Sequence, residues 1–174
     1  FDVGLVAWSD LPVGGEVVDS LFAPGTSKIG SPYHGLFVVE GLYRQRRDDA
    51  ALDFMREHWG AMLDLYGGTF FEHYSLAWPT EALPRRADSL CHGFSAGPGY
   101  SLPAHVLGVT PMEPGFDRVL IAPSPGDLHW AAGKVPTPHG PVGVEWQKSP
   151  RRFRIACEVP EGCSAKLRLP PYCG

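Results

Sequence analysis

A single carboxylate in the segment GGTFFEHYSLAWP, residues 67–79, stands among aromatic rings: Glu72 is flanked by Phe70, Phe71, Tyr74 and Trp78. Apolar walls strip water from a carboxylate and suit it to acid or base work. Aromatic faces beside it suit a sugar ring. The same residues also fit a surface glutamate on a loop whose rings pack into the core, and local composition leaves both readings open.

The second stretch of interest is SLCHGFSAGPGY, residues 89–100, with His92 and a G-x-S-x-G pattern at Gly93, Ser95 and Gly97. In α/β hydrolases that pattern is the nucleophile elbow, which would make Ser95 the nucleophile and His92 its base. The elbow needs a strand directly before the serine and a parallel sheet around it. Residues 84–90 carry no strand pattern and the chain has no β-α-β series, so the match is rejected. A helix start near Ser95, with Pro98 in its first turn, explains the segment more simply. No HExxH pattern or closely spaced second histidine accompanies His92, which makes a metal role the weakest option; core packing and substrate contact both remain.

The elements that must hold these residues are helical over roughly the first hundred positions. Ser31-Pro32 is a start signal, and Leu36, Phe37, Val39, Leu42 and Tyr43 follow on a helical stripe, giving a helix over 31–44. Asp48 or Asp49 then caps a second helix, in which Leu52, Met55, Trp59, Met62 and Tyr66 recur at three- and four-residue steps up to Gly67-Gly68. Residues 12–22 make an earlier helix, so short loops alternate with helices as in an α/α solenoid or barrel. Near Leu107 the period changes to two. Strands are expected over 118–122, 128–135, 142–147, 153–159 and 165–169, with Lys148-Ser149-Pro150-Arg151 as a turn. Ala165, Leu167 and Leu169 are expected to face inward, and Cys157 is expected to be buried in phase with Phe153, Ile155 and Val159. The domain boundary falls near Gly108, dividing helices at 1–107 from β structure at 108–174, a small module expected to dock on the helices.

Composition excludes several classes. With 44% hydrophobic and 20% charged residues in 174, the chain is a core-forming, soluble type. No apolar run approaches the ~18 residues of a membrane span. The net charge is −4, and the cluster Arg44, Arg46 and Arg47 is cancelled at once by Asp48 and Asp49, which argues against nucleic acid. Cys91, Cys157, Cys163 and Cys173 show no CxxC spacing, which speaks against structural zinc, and a Cys163–Cys173 disulfide is compatible with the sequence. Phe1 opens the chain without an initiator Met or a basic leader, as in a chain cut from something longer; cytoplasmic and secreted locations both fit.

In order and spacing, GSPYHGLFVVEGLYR, then DDAALDFMREHWGAMLDLYGGTFFEHY, then SLCHGFSAGP and the block from Leu107 to Trp146 resemble the closing portion of bacterial α-L-rhamnosidases of glycoside hydrolase family 78. The resemblance covers nearly the whole chain. It implies a multidomain α and β architecture, partial six-hairpin α/α-barrel helices followed by a C-terminal antiparallel β-sandwich, and release of terminal α-L-rhamnose with inversion. Glu72 falls at the family's general base, and His92 at a histidine that contacts the sugar; Phe71 and Trp78 complete the implied substrate contacts. No cofactor or metal is implied. The implied partners are a rhamnose-containing glycoside and the remainder of the barrel upstream. Phe71 and Phe94 stand where the family has Trp, which keeps an aromatic face and loses an indole N–H. Nothing in residues 1–72 matches the family's general-acid segment, and Glu16, Glu40, Glu57 and Glu81 do not fit it. The chain by itself is therefore expected to be inactive. A non-catalytic carbohydrate-binding or scaffolding fragment is the alternative.

Overall fold

The computed structural model describes residue 19 and residues 31–66, 68–73 and 89–170. The chain forms two compact units, Phe1–Gly99 and Tyr100–Gly174. The expected helix at 12–22 lies outside the described residues except for Asp19, whose carboxylate meets Arg47 at 2.6 Å.

In the first unit α1 spans Pro32–Arg44 behind an extended Ser31 (φ −125°), as the Ser-Pro signal predicts. The expected cap is absent: the Ser31 hydroxyl turns away from the helix and reaches Glu72 O at 3.5 Å. At the other end Arg46 takes the left-handed conformation (φ 60°). The Arg47 N–H then returns to Leu42 O at 2.9 Å and the Arg46 N–H to Tyr43 O at 3.1 Å, the Schellman pattern that closes a helix. Helix α2, Asp48–Met55, has Arg47 rather than an aspartate at its N-cap; Asp48 and Asp49 occupy its first turn, where carboxylates favour the positive end of the helix dipole.

A π-helical turn, Arg56–Gly60, joins α2 to α3, Ala61–Tyr66, so the rod runs to the expected end with one distortion inside it. There the buried His58 donates Nδ1–H to Phe54 O at 3.0 Å and stacks on the Phe54 ring at 4.0 Å. The two rods form an αα-hairpin around Val38, Val39, Leu42, Leu52, Met55, Trp59 and Met62, all buried. Trp59 crosses α1 at Gly35, where a Cβ would lie 2.8 Å from the indole.

Helix α4, Gly97–Ser101, runs into a π-helical turn at Leu102–Val106. Beyond it lie six strands: β1 Val109–Pro111, β2 Arg118–Ile121, β3 Trp130–Val135, β4 Val142–Ser149, β5 Arg152–Glu158 and β6 Ser164–Leu167. They form two three-stranded sheets ordered β1-β2-β6 and β3-β4-β5. The second sheet is antiparallel throughout, with Ser149 opposite Arg152 across the expected turn. The first is mixed, because β6 runs parallel to β2, which departs from an all-antiparallel arrangement. The core of this unit gathers Val119, Ile121, Val142, Val144 and Trp146, and the Trp146 indole N–H donates to Val106 O at 2.8 Å.

Two burial expectations fail here. All four residues of β6 are exposed, and Leu167 and Leu169 remain about half exposed. Alternation gives a side chain's direction, but β6 is an edge strand and no described element covers that face. Cys157 is exposed on the edge strand β5 although its partner Val144 is buried, and partial burial still pushes its thiol above the ordinary pKa. Strand β1 was not foreseen, since three residues interrupted by a proline carry little period-two signal. It follows Gly108, where φ is +79° and a Cβ would lie 2.3 Å from the Ala122 and Pro123 backbone.

Candidate active site

Backbone pairing of two distant segments brings Glu72 and His92 together. The Glu72 N–H donates to Ser89 O and the His92 N–H to Phe70 O, each at 2.8 Å. Two steps separate the paired positions on one segment and three on the other, so the second carries an extra residue, which re-aims side chains as a β-bulge does. His92 Nδ1 then lies 3.7 Å from Glu72 Oε2, with 28% and 33% of the two side chains exposed. That gap is too long for a hydrogen bond. It is short enough for attraction whenever the imidazole is protonated, and a hydroxyl or water can bridge it.

Each half of the pair is anchored from behind. Phe71 is fully buried and its N–H points to Met62 Sδ at 3.4 Å. This corrects the expected sugar contact: the ring offers no surface and instead roots the Glu72 segment in the helical core. On the other side the Trp59 indole N–H donates to Ser95 O at 2.7 Å. That bond holds the 3-10 turn Gly93–Ser95, whose Ser95 N–H returns to His92 O at 3.1 Å. Gly97 lets the same indole approach, at 3.2 Å from where a Cβ would stand.

The exposed rings beside the pair are Phe94 and Tyr33. Phe94 meets the His92 ring edge-on at 5.3 Å, and Tyr33 lies 5.8 Å from Phe94 and 5.5 Å from Phe37. Phe94 is 72% exposed, an unusual degree for a large apolar ring. The sequence marks Phe94 only as a replacement for Trp and carries no local signal for Tyr33, which stands on α1, 39 residues before Glu72. Neighbouring His34 has its imidazole held below the ordinary pKa, first by burial and then by nearby positive charge that includes His73. Trp78, the remaining expected contact, lies outside the described residues, as do Tyr74 and Cys173.

Ser95 is fully buried, its hydroxyl has no hydrogen-bond partner, and among the described residues no strand runs into it, which argues against the nucleophile-elbow match. Among the described residues no three His, Cys, Asp or Glu side chains gather as a metal site would require, and no helix is long and apolar enough to cross a membrane.

All six strands fall within residues 108–172, and that segment matches the family described as the bacterial alpha-L-rhamnosidase C-terminal domain. The rhamnosidase likeness extends beyond this domain. An α-L-rhamnosidase of Streptomyces avermitilis is 27% identical over 114 residues, which is 64% of this chain and 11% of that protein. One from Alteromonas sp. (strain LOR) is 37% identical over 67 residues, 38% of this chain and 7% of that protein. The crystal structure of a GH78 family rhamnosidase of Bacillus sp. GL1 superposes with a TM-score of 0.80 at 30% identity, covering 98% of this chain and 19% of that one. The resemblance to a C-terminal part of a GH78 rhamnosidase therefore stands, and the chain spans under a fifth of each of these three relatives.

Proposed function

We propose that the chain is the C-terminal part of a glycoside hydrolase that releases terminal α-L-rhamnose with inversion, Glu72 acting as general base and His92 holding the sugar. The observation that carries this reading is the backbone-built pair of Glu72 and His92, 3.7 Å apart and both open to solvent. In an inverting reaction the base takes a proton from the water attacking the anomeric carbon. The acid that protonates the leaving oxygen stands about 6.5–9.5 Å away across the sugar. In this reading the acid comes from the upstream remainder of an α/α barrel, to which the helices of 1–107 contribute, while 108–174 is the β domain. Phe94 and Tyr33 take the aromatic role first assigned to Phe71, and Trp78 keeps its place as a proposed sugar contact.

Replacing Glu72 by Gln in the complete enzyme tests the reading. Turnover of an aryl α-L-rhamnoside is expected to fall by about 100-fold or more, with substrate binding nearly unchanged, because removal of a general base costs on the order of 10²–10⁴ in rate. Unchanged turnover leaves a non-catalytic, scaffolding or sugar-binding part and ends the proposal. NMR of the first-formed product, expected to be the β-anomer, tests inversion. The 174-residue chain alone is expected to hydrolyse nothing.

A further inference from the structure

The face of the β3-β4-β5 sheet opposite Trp146 carries an aromatic ring, an amide and two guanidinium groups. Trp130 pairs with Gln147, and Gln147 with Arg154, so the three form one row across the sheet. Ser149 and Arg152 form the next row toward the turn. At the ordinary strand spacing a row of three spans about 10 Å, the scale of one or two sugar rings. Trp130 is 67% exposed, although a tryptophan with nothing to bind is normally buried. Among the described residues neither its indole N–H, nor the Gln147 amide, nor either guanidinium makes a hydrogen bond or ion pair. These groups line a shallow cavity of about 370 Å³ with His129 and Lys148.

The charge is one-sided. Residues 148–154 hold Lys148, Arg151, Arg152 and Arg154 without an acid, and residues 100–174 carry eight basic against six acidic groups in a chain of net charge −4. On the sheet, Glu145 stands one row further along β4, and Glu158 one row beyond it, 3.9 Å from Lys134.

We propose that this face is a binding site for an anionic saccharide, a uronate-bearing glycan segment, separate from the Glu72 site. The indole offers a flat apolar face to the C–H side of a pyranose ring, while its N–H and the Gln147 amide reach hydroxyls. Two guanidinia on one rigid strand suit a carboxylate, which they grip through paired N–H···O bonds. A neutral sugar makes no use of that charge. Single-stranded nucleic acid stacks successive bases on several rings along a basic groove, and here Trp130 is the one Trp, Tyr or Phe ring among the cavity's lining residues.

The proposal does not depend on Glu72 being a base, and isothermal titration calorimetry of the 174-residue chain keeps the two apart. Trigalacturonate is expected to bind with a Kd of about 1 mM or tighter, maltotriose at least tenfold more weakly. Trp130→Ala and the double change Arg152→Gln, Arg154→Gln are each expected to weaken trigalacturonate at least tenfold, and raising the salt to weaken it further. Glu72→Gln is expected to leave binding unchanged, so a failed catalytic assignment would not register here. Trp130→Phe keeps a ring at the same place and is expected to retain most of the binding, which separates loss of stacking from misfolding. Equal affinity for maltotriose, full affinity in either variant, tighter binding of a hexathymidylate, or no heat of binding would each overturn the proposal.

Discussion

Trp146 and Trp130 lie on opposite faces of one sheet, paired with Ala131 and Gln147 respectively, and differ almost completely in exposure, 1% against 67%. Trp146→Phe removes three ring atoms from a filled core. At about 0.8 kcal/mol per methylene-sized group that costs about 2 kcal/mol. The change also leaves the buried Val106 carbonyl without its 2.8 Å donor, worth about 1–3 kcal/mol. The stack on Phe153 at 5.5 Å is kept in weaker form. A total of roughly 3–5 kcal/mol approaches the whole stability of a small domain, at ~0.05–0.15 kcal/mol per residue. Urea unfolding followed by far-UV circular dichroism measures it, with Trp130→Phe as the matched control on the open face, expected within about 0.5 kcal/mol of the parent. A loss below about 1 kcal/mol for Trp146→Phe, or equal losses for the two, would refute the assignment of the faces and of the Val106 bond.

Three further outcomes follow from backbone and burial. Gly108→Ala places a Cβ against backbone atoms at 2.3 Å with φ at +79°; a loss of more than about 2 kcal/mol is expected in the same urea assay, since main chain must move. Arg46→Gly relieves a left-handed residue at the end of α1 and is expected to stabilise the helical unit by about 0.5–1 kcal/mol, read as a raised Tm. Ser95→Ala removes a buried hydroxyl that has no partner; stability is expected to stay level or rise by up to about 1 kcal/mol, and the parent is expected to resist labelling by a fluorophosphonate.

Much of the frame was legible locally. Ser31-Pro32 and the stripe through Leu42 placed α1, the three- and four-residue steps from Leu52 to Met62 placed the second rod, and alternation placed five of the six strands within a few residues. These features depend on contacts a few positions apart, which the order of residues encodes directly. Glu72 and His92 were also visible by type and by family likeness.

Burial and pairing were not. The same aromatic context that drew notice to Phe71 hid that its ring belongs to the core, while Phe94 and Tyr33 face solvent. Period-two alternation in residues 165–169 told which side chains share a face but not that nothing covers it. The join of Glu72 to His92 rests on two backbone hydrogen bonds between segments twenty residues apart, and the row of Trp130, Gln147 and Arg154 on strand register. Sequence determined which short stretches coil or extend, because that is a matter of neighbouring side chains and main-chain sterics. Only the tertiary structure decided which groups stand side by side, because residues far apart in the chain meet through hydrogen bonding and packing that no local pattern specifies.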